Sequence, residues 1–267
     1  MTQQLIQTII LGIIQGLTEW LPISSTGHLR LAEKILFREV PIPILFDVAL
    51  HVGTLAVILL FFRRDVRQIV SSLARLDFES EYGRFIPLII AGMMPTAAIG
   101  LFFGVMIENV FQELLPIAIA FVFCGIWLYF TRFGKSKSQD ITCSMALLLG
   151  VAQGIAIIPG ISRSGATIST ALLLGIGREK AFKFSFLLSV PAIIGALGIT
   201  VYRESSTLAS AGLGWVEVSI GVVFAMLTGY FALKVLWKTL AGGKLHYFAF
   251  YCWVLAAVLV VLSLQIS

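Results

Sequence analysis

Glu19, Ser25 and His28 fall within one short polar stretch, EWLPISSTGHLR (19–30), and a second stretch, IIPGISRSGATIST (157–170), carries Arg163 among hydroxyls and glycines. A carboxylate, a hydroxyl and an imidazole this close in sequence can activate a nucleophile and move a proton near neutral pH. A guanidinium beside small polar residues can hold an anion through its planar fork of donors. Each stretch has the same grammar: a proline ends one helix, a Ser/Thr/Gly-rich turn follows, and a new helix begins. A helix N-terminus presents unpaired N–H groups, and glycine lets a ligand approach the backbone. Ser24, Thr26 and Gly27 in the first stretch, and Ser162, Ser164, Gly165 and Thr167 in the second, are therefore candidate anion-binding residues. Two such ends facing each other would cradle a polyanion rather than a single carboxylate.

Gln15 and Glu19 are spaced i, i+4 and share one helix face. A carboxylate and an amide oxygen can form part of a shell for Mg²⁺ or Ca²⁺, completed by phosphate oxygens and water. The same residues also have a structural reading. Pro-Gly breaks and hydroxyls are common where membrane helices pack closely, and Glu19 and Arg163 can pair with each other. An ionised side chain at mid-membrane costs about 2.5–3.5 kcal/mol, so each of the two needs a partner or a task. His51 lies inside an apolar run and His246 in a basic loop, and both read as structural.

The elements that must position these groups are membrane helices. The 267 residues are 58% hydrophobic and 12% charged, against about 25% charged for a soluble domain, and the mean hydropathy is +0.98. Apolar runs at 44–62, 86–107, 115–133, 183–202, 215–235 and 247–266 each approach the ~20 residues needed to cross a bilayer. No lysine or arginine precedes Arg30, so the start lacks the basic region of a cleavable signal peptide. Cys124, Cys143 and Cys252 show no paired spacing and read as packing residues. The net charge of +5 resides in short loops between spans, which argues against nucleic acid as a partner.

One offset of 138 residues reveals an internal repeat: LGIIQG (11–16) matches LGVAQG (149–154), ISSTG (23–27) matches ISRSG (161–165), and FDVALHV (46–52) matches FSFLLSV (184–190). Counting basic loop residues decides whether the segments 5–37 and 141–176 cross the membrane or return. If both are re-entrant and the N-terminus is outside, fourteen basic residues lie inside: Arg63, Arg64, Arg67, Arg75, Arg84, Arg132, Lys135, Lys137, Arg178, Lys180, Lys183, Lys234, Lys238 and Lys244. Four then lie outside: Arg30, Lys34, Arg38 and Arg203. If both segments cross, the split is nine to nine. The expected fold is therefore an all-α polytopic membrane protein with an inverted-topology repeat, each half a re-entrant helical hairpin plus three transmembrane helices. Residues 1–267 form a single domain, with repeat 1 about 1–138 and repeat 2 about 139–267. Hairpins entering from opposite faces meet near the midplane, where inverted-repeat proteins build their sites.

Taken together, these groups fit phosphoryl transfer to water on a substrate with a lipid tail. His28 or Ser25 would supply the nucleophile, with His28 favoured. Arg163, the helix ends and a cation would carry phosphate charge, and Glu19 would transfer a proton or ligate the metal. The chain resembles the undecaprenyl-diphosphate phosphatase (bacitracin-resistance) family in Gln15/Glu19 followed by PISSTGH, in PGISRSGATI and in FSFLLSVPAIIGA, over essentially its whole length. The resemblance implies hydrolysis of the C55 isoprenoid diphosphate to the monophosphate, which recycles the carrier lipid for peptidoglycan. It makes Glu19, Ser25, His28 and Arg163 the catalytic group, with Ser162, Ser164 and Thr167 binding phosphate. It also implies a bacterial plasma membrane location with the site opening outward, and the count of basic residues expects both termini outside. Gln15 stands where many members have Glu. The alternative is a transporter or flippase for an anionic lipid or solute, an architecture that shares broken helices and inverted repeats but needs no nucleophile.

Overall fold

The computed structural model describes residues 2–36, 44–134, 140–203 and 214–266. These fold as α-helices joined by turns: α1 (Thr2–Trp20), α2 (Ser25–Leu36), α3 (Ile44–Phe61), α4 (Arg63–Ala74), α5 (Phe85–Val110), α6 (Leu114–Phe130), α7 (Cys143–Ile155), α8 (Arg163–Leu173), α9 (Arg178–Arg203), α10 (Trp215–Ala241) and α11 (Tyr247–Ile266). A 3₁₀ turn, Thr131–Phe133, follows α6. Five helices, α5, α6, α9, α10 and α11, are long and apolar enough to cross a membrane, and α3 taken with α4 passes as a sixth. These six coincide with the six apolar runs of the sequence. Among the expected loop residues, Arg38, Lys135 and Lys137 lie outside the described residues, as does residue 37 at the end of the first leading segment.

Bilayer-embedded helices associate through close packing and interhelical hydrogen bonds, because lipid tails are as apolar as leucine. The small residues of the repeat serve that purpose. α1 lies along α10, and α7 lies along α5. A Cβ on Gly12 would land on the carbonyl oxygen of Gly221, and one on Gly150 would land on that of Gly92. Backbone therefore meets backbone at both seams. α6 packs along α11, and α3 against α10. Thr96 Oγ1, one residue after Pro95 within α5, donates to the carbonyls of Gly92 (3.0 Å) and Gly150 (2.8 Å), which ties the α5–α7 seam beside the proline.

Helix boundaries follow local chemistry. Thr142 caps α7, its hydroxyl accepting the Met145 N–H. α8 stops at Gly175, whose φ of 83° favours glycine and whose N–H reaches Leu172 O at 3.0 Å. The basic segment after α3, expected as a loop, is instead helix α4, bent 83° from α3.

Candidate active site

The site forms where two prolyl elbows meet. α1 ends at Trp20, fully buried and edge-on to Phe186 with ring centroids 5.5 Å apart. Pro22 follows, and Ser24 adopts φ 65°, a left-handed conformation that turns the chain into α2. In the second elbow Gly160, with φ 102°, takes the turn after Pro159, and Ser162 caps α8 by accepting the Gly165 N–H at 3.1 Å. Ser24 holds the corresponding place before α2, accepting the Gly27 N–H at 3.4 Å. The elbows bond to each other. Ser24 Oγ accepts the Gly160 N–H at 3.0 Å, and the hydroxyls of Ser162 and Ser164 donate to Leu21 O at 3.4 and 3.3 Å. Gly27 is buried against Phe121 and Gly160, and a Cβ there would sit 2.7 Å from the Phe121 ring. The thiols of buried Cys124 and Cys252 lie near Pro22 O, at 4.0 and 3.9 Å, beneath the first elbow.

Glu19 is the hub. Its side chain is 5% exposed, Oε1 accepts from Arg163 Nη2, and Oε2 accepts from Ser25 Oγ at 2.6 Å and from Gln15 Nε2 at 3.2 Å. One carboxylate thus binds a guanidinium on one oxygen and a hydroxyl on the other, the arrangement of a base beside a nucleophile. Arg163 also lies over Trp20, its Cζ 5.8 Å from the ring centroid. Beside it is a narrow cavity lined by Trp20, Arg163, Ser164, Thr167, Ser185 and Ser189. Thr167 Oγ1 donates to Arg163 O at 2.9 Å, whereas the buried Ser185 hydroxyl has no hydrogen-bond partner among the described residues.

His28 is not drawn into this hub. Its Nδ1 lies 2.7 Å from Ser24 O, and its Nε2 lies 2.7 Å from the Tyr251 hydroxyl. A carbonyl only accepts, so Nδ1 carries the proton and Nε2 accepts from tyrosine. The ring stacks on Tyr251 and meets Phe121 edge-on. Both nitrogens are engaged, and among the described residues no hydrogen bond or ion pair joins His28 to Glu19, Ser25 or Arg163. Thr26 is exposed and takes no part in the network.

His51, expected to be structural, is the reverse case. Its Nε2 is 3.9 Å from Glu19 Oε2, while Nδ1 donates to Asp47 O at 2.9 Å. Its place is at the hub, with Ser185 and Ser189 lining the cavity beside Arg163, while Tyr251 partners His28 outside it. A signal for three of these was present in the repeat. Asp47 and His51 in FDVALHV align with Ser185 and Ser189 in FSFLLSV, polar pairs at i, i+4 in otherwise apolar helices.

The donor set also bears on a cation. Gln15 Oε1 is buried without a hydrogen-bond partner among the described residues, on the same helix face as Glu19. Among the described residues no cluster of three or more His, Cys, Asp or Glu side chains forms a metal cage. An amide oxygen and one carboxylate fit a hard cation that takes its remaining ligands from substrate phosphates and water, the habit of Mg²⁺ above all.

Comparison with known proteins covers nearly the whole chain. The family described as Bacitracin resistance protein BacA matches residues 8–258. An undecaprenyl-diphosphatase of Carboxydothermus hydrogenoformans is 42% identical over 262 residues, covering 96% of this chain and 97% of the relative. One of Halothermothrix orenii is 40% identical over 263 residues, covering 97% and 98%. A third, of Treponema denticola, is 40% identical over 253 residues, covering 92% of each.

Proposed function

The chain belongs to the Bacitracin resistance protein BacA family and hydrolyses undecaprenyl diphosphate, and we propose that it does so at the elbow hub with Ser25 as nucleophile and Glu19 as its base. The observation that carries this reading is the 2.6 Å hydrogen bond from Ser25 Oγ to Glu19 Oε2, made while Arg163 occupies the other oxygen. Ser25 Oγ attacks the terminal phosphorus and its proton passes to Glu19. The bond from that phosphorus to the bridging oxygen breaks, and undecaprenyl phosphate leaves with the electron pair and takes the proton from Glu19, which is again a carboxylate. Water then attacks the phosphoserine, Glu19 accepts its proton, and the proton returns to Ser25 Oγ, releasing inorganic phosphate. This reverses the ranking made from sequence, because the nitrogens of His28 are occupied by Ser24 O and Tyr251. His28 instead fixes the first turn of α2, from which Ser25 projects.

Arg163 leaves Glu19 to grip the diphosphate, and Ser164, Thr167 and Ser185 supply hydroxyls for the phosphoryl oxygens beside it. Ser162, Ser24, Gly27 and Gly165 hold the elbow backbones close enough to form the cradle. Gln15 and Glu19 would hold Mg²⁺ or Ca²⁺ against the diphosphate. When bound, such a cation neutralises phosphate charge and favours departure of the leaving oxygen.

An inverted repeat accounts for the architecture. Its support is the 138-residue offset together with equivalent seams: α1 on α10 corresponds to α7 on α5, and Gly12 corresponds to Gly150. The hairpins α1–α2 and α7–α8 then enter from opposite faces, each half adding three spans. Both termini lie outside, and the site opens to the outer face of the bacterial plasma membrane. The test is phosphate release by purified protein from a long-chain prenyl diphosphate. A well-folded sample that binds the lipid and releases no phosphate contradicts the reading.

A further inference from the structure

Helix α4 lies outside the hub. Its axis turns 83° from α3 within a single residue, so if α3 crosses the bilayer α4 runs along its surface. None of its residues is buried. Val66, Ile69, Val70 and Leu73 recur at i, i+3, i+4 and i+7 and form one apolar face. Val66 packs partly against the protein core, but Val70 is 58% exposed and Leu73 49%. Just beyond the helix, Leu76 and Phe78 are exposed as well.

The rest of the helix is charged in a way that selects the occupant of this face. Arg64 falls opposite the apolar stripe, Arg67 on its flank and Arg63 at its N-terminal end, seven residues before Val70, and none of the three has an ion-pair partner among the described residues. The acidic residue of α4, Asp65, is already spent on the protein side, where it pairs with Lys183 of α9 at 2.8 Å. Lys183 in turn lies 5.5 Å from the Tyr82 ring centroid. Asp65, Val66 and Ile69 therefore turn half-buried toward the protein, while Val70, Leu73 and three arginines without ion pairs among the described residues are left facing outward.

We propose that α4 is an in-plane anchor for an anionic lipid leaflet, with Val70 and Leu73 seated at the acyl boundary and Arg63, Arg64 and Arg67 on the headgroup phosphates. The combination of high amphipathicity, low mean hydropathy and a basic polar face is that of interfacial helices, and long arginine side chains reach headgroups from a half-sunk backbone. Each arginine near an anionic surface strengthens attraction about five-fold.

The full-length protein, with exposed Cys143 replaced by Ser, is labelled with a fluorophore at Leu73→Cys or at Gln68→Cys and reconstituted in phosphatidylcholine vesicles containing phosphatidylglycerol. Retained phosphate release shows that each variant is folded. The label at 73 should be quenched by brominated acyl chains and shielded from aqueous iodide, and the label at 68 should behave in the opposite way. In the Arg63→Gln/Arg64→Gln/Arg67→Gln variant, phosphatidylglycerol carried through purification should fall at least five-fold relative to phosphatidylcholine. Equal iodide access at 68 and 73, unchanged phosphatidylglycerol retention, or crosslinking from 73 to another protein in native membranes would overturn the proposal.

Discussion

Ser24 and Gly160, 136 residues apart in sequence, are joined by a 3.0 Å hydrogen bond in which the serine hydroxyl accepts the glycine N–H. This bond fixes the distance between the elbows and so the distance between Arg163 and Ser25. Ser24→Gly suits the local φ of 65° but removes the hydroxyl that accepts both the Gly160 and Gly27 N–H groups, and a buried N–H left stranded costs about 1–3 kcal/mol. Ser24→Ala suffers the same loss and keeps the left-handed strain that Ser24 already bears, which glycine relieves. Thermal unfolding in detergent should therefore rank wild type above Ser24→Gly and Ser24→Gly above Ala, with phosphate release falling in the same order.

Arg163→Lys keeps the charge beside Glu19 but loses the planar fork. Turnover on a prenyl diphosphate should drop by about 10²-fold or more, while protein yield stays near wild type. His28→Ala should also reduce turnover, by loosening α2 rather than by removing a reacting group. Its KM should change less than its kcat. A His28→Ala enzyme with wild-type kinetics would remove the residue from the account.

Glu19 and Arg163 form a buried pair, and removing one partner leaves the other unpaired at a cost of about 3–5 kcal/mol. Glu19→Gln and Arg163→Met should each lower thermal stability. The double variant should recover much of that loss while remaining inactive, which separates stability from catalysis. A double-mutant cycle on unfolding midpoints in detergent reads the coupling.

The helix seams make a purely structural prediction. Gly150→Ala places a methyl group where the Gly92 carbonyl lies, so α7 must move away from α5. Thermal stability should fall, together with activity. Gly104→Ala, where nothing lies within reach of an added Cβ, should leave both unchanged.

Chelation should suppress phosphate release, and added Mg²⁺ or Ca²⁺ should restore it. Gln15→Ala should raise the cation concentration needed for half-maximal rate, with a smaller effect on the rate at saturating cation. An unchanged cation requirement in Gln15→Ala would remove that amide from the shell.

The elbows were legible in sequence because proline, serine and glycine dictate local backbone, and because the pattern occurs twice. The Glu19–Arg163 pair was legible because charge at mid-membrane demands a partner. His51, Ser185 and Ser189 were not identified: the repeat sets Asp47/His51 against Ser185/Ser189 as polar pairs on apolar helices, but a shared helix face does not say which neighbour it meets. The surroundings of His28 were not legible either: its partner Tyr251 lies 223 residues away, and no local pattern announces that contact. Helix α4 was hidden because its arginines read as loop charge, and only the 83° bend sets them on a helix lying across α3.

The identity of the attacking atom remains the most direct test of the mechanism. Wild-type protein, rapidly quenched during turnover of a prenyl diphosphate labelled in its terminal phosphate, should carry the label on Ser25, and Ser25→Ala should carry none. Label recovered on His28, or the absence of any adduct while turnover proceeds, would contradict attack by Ser25.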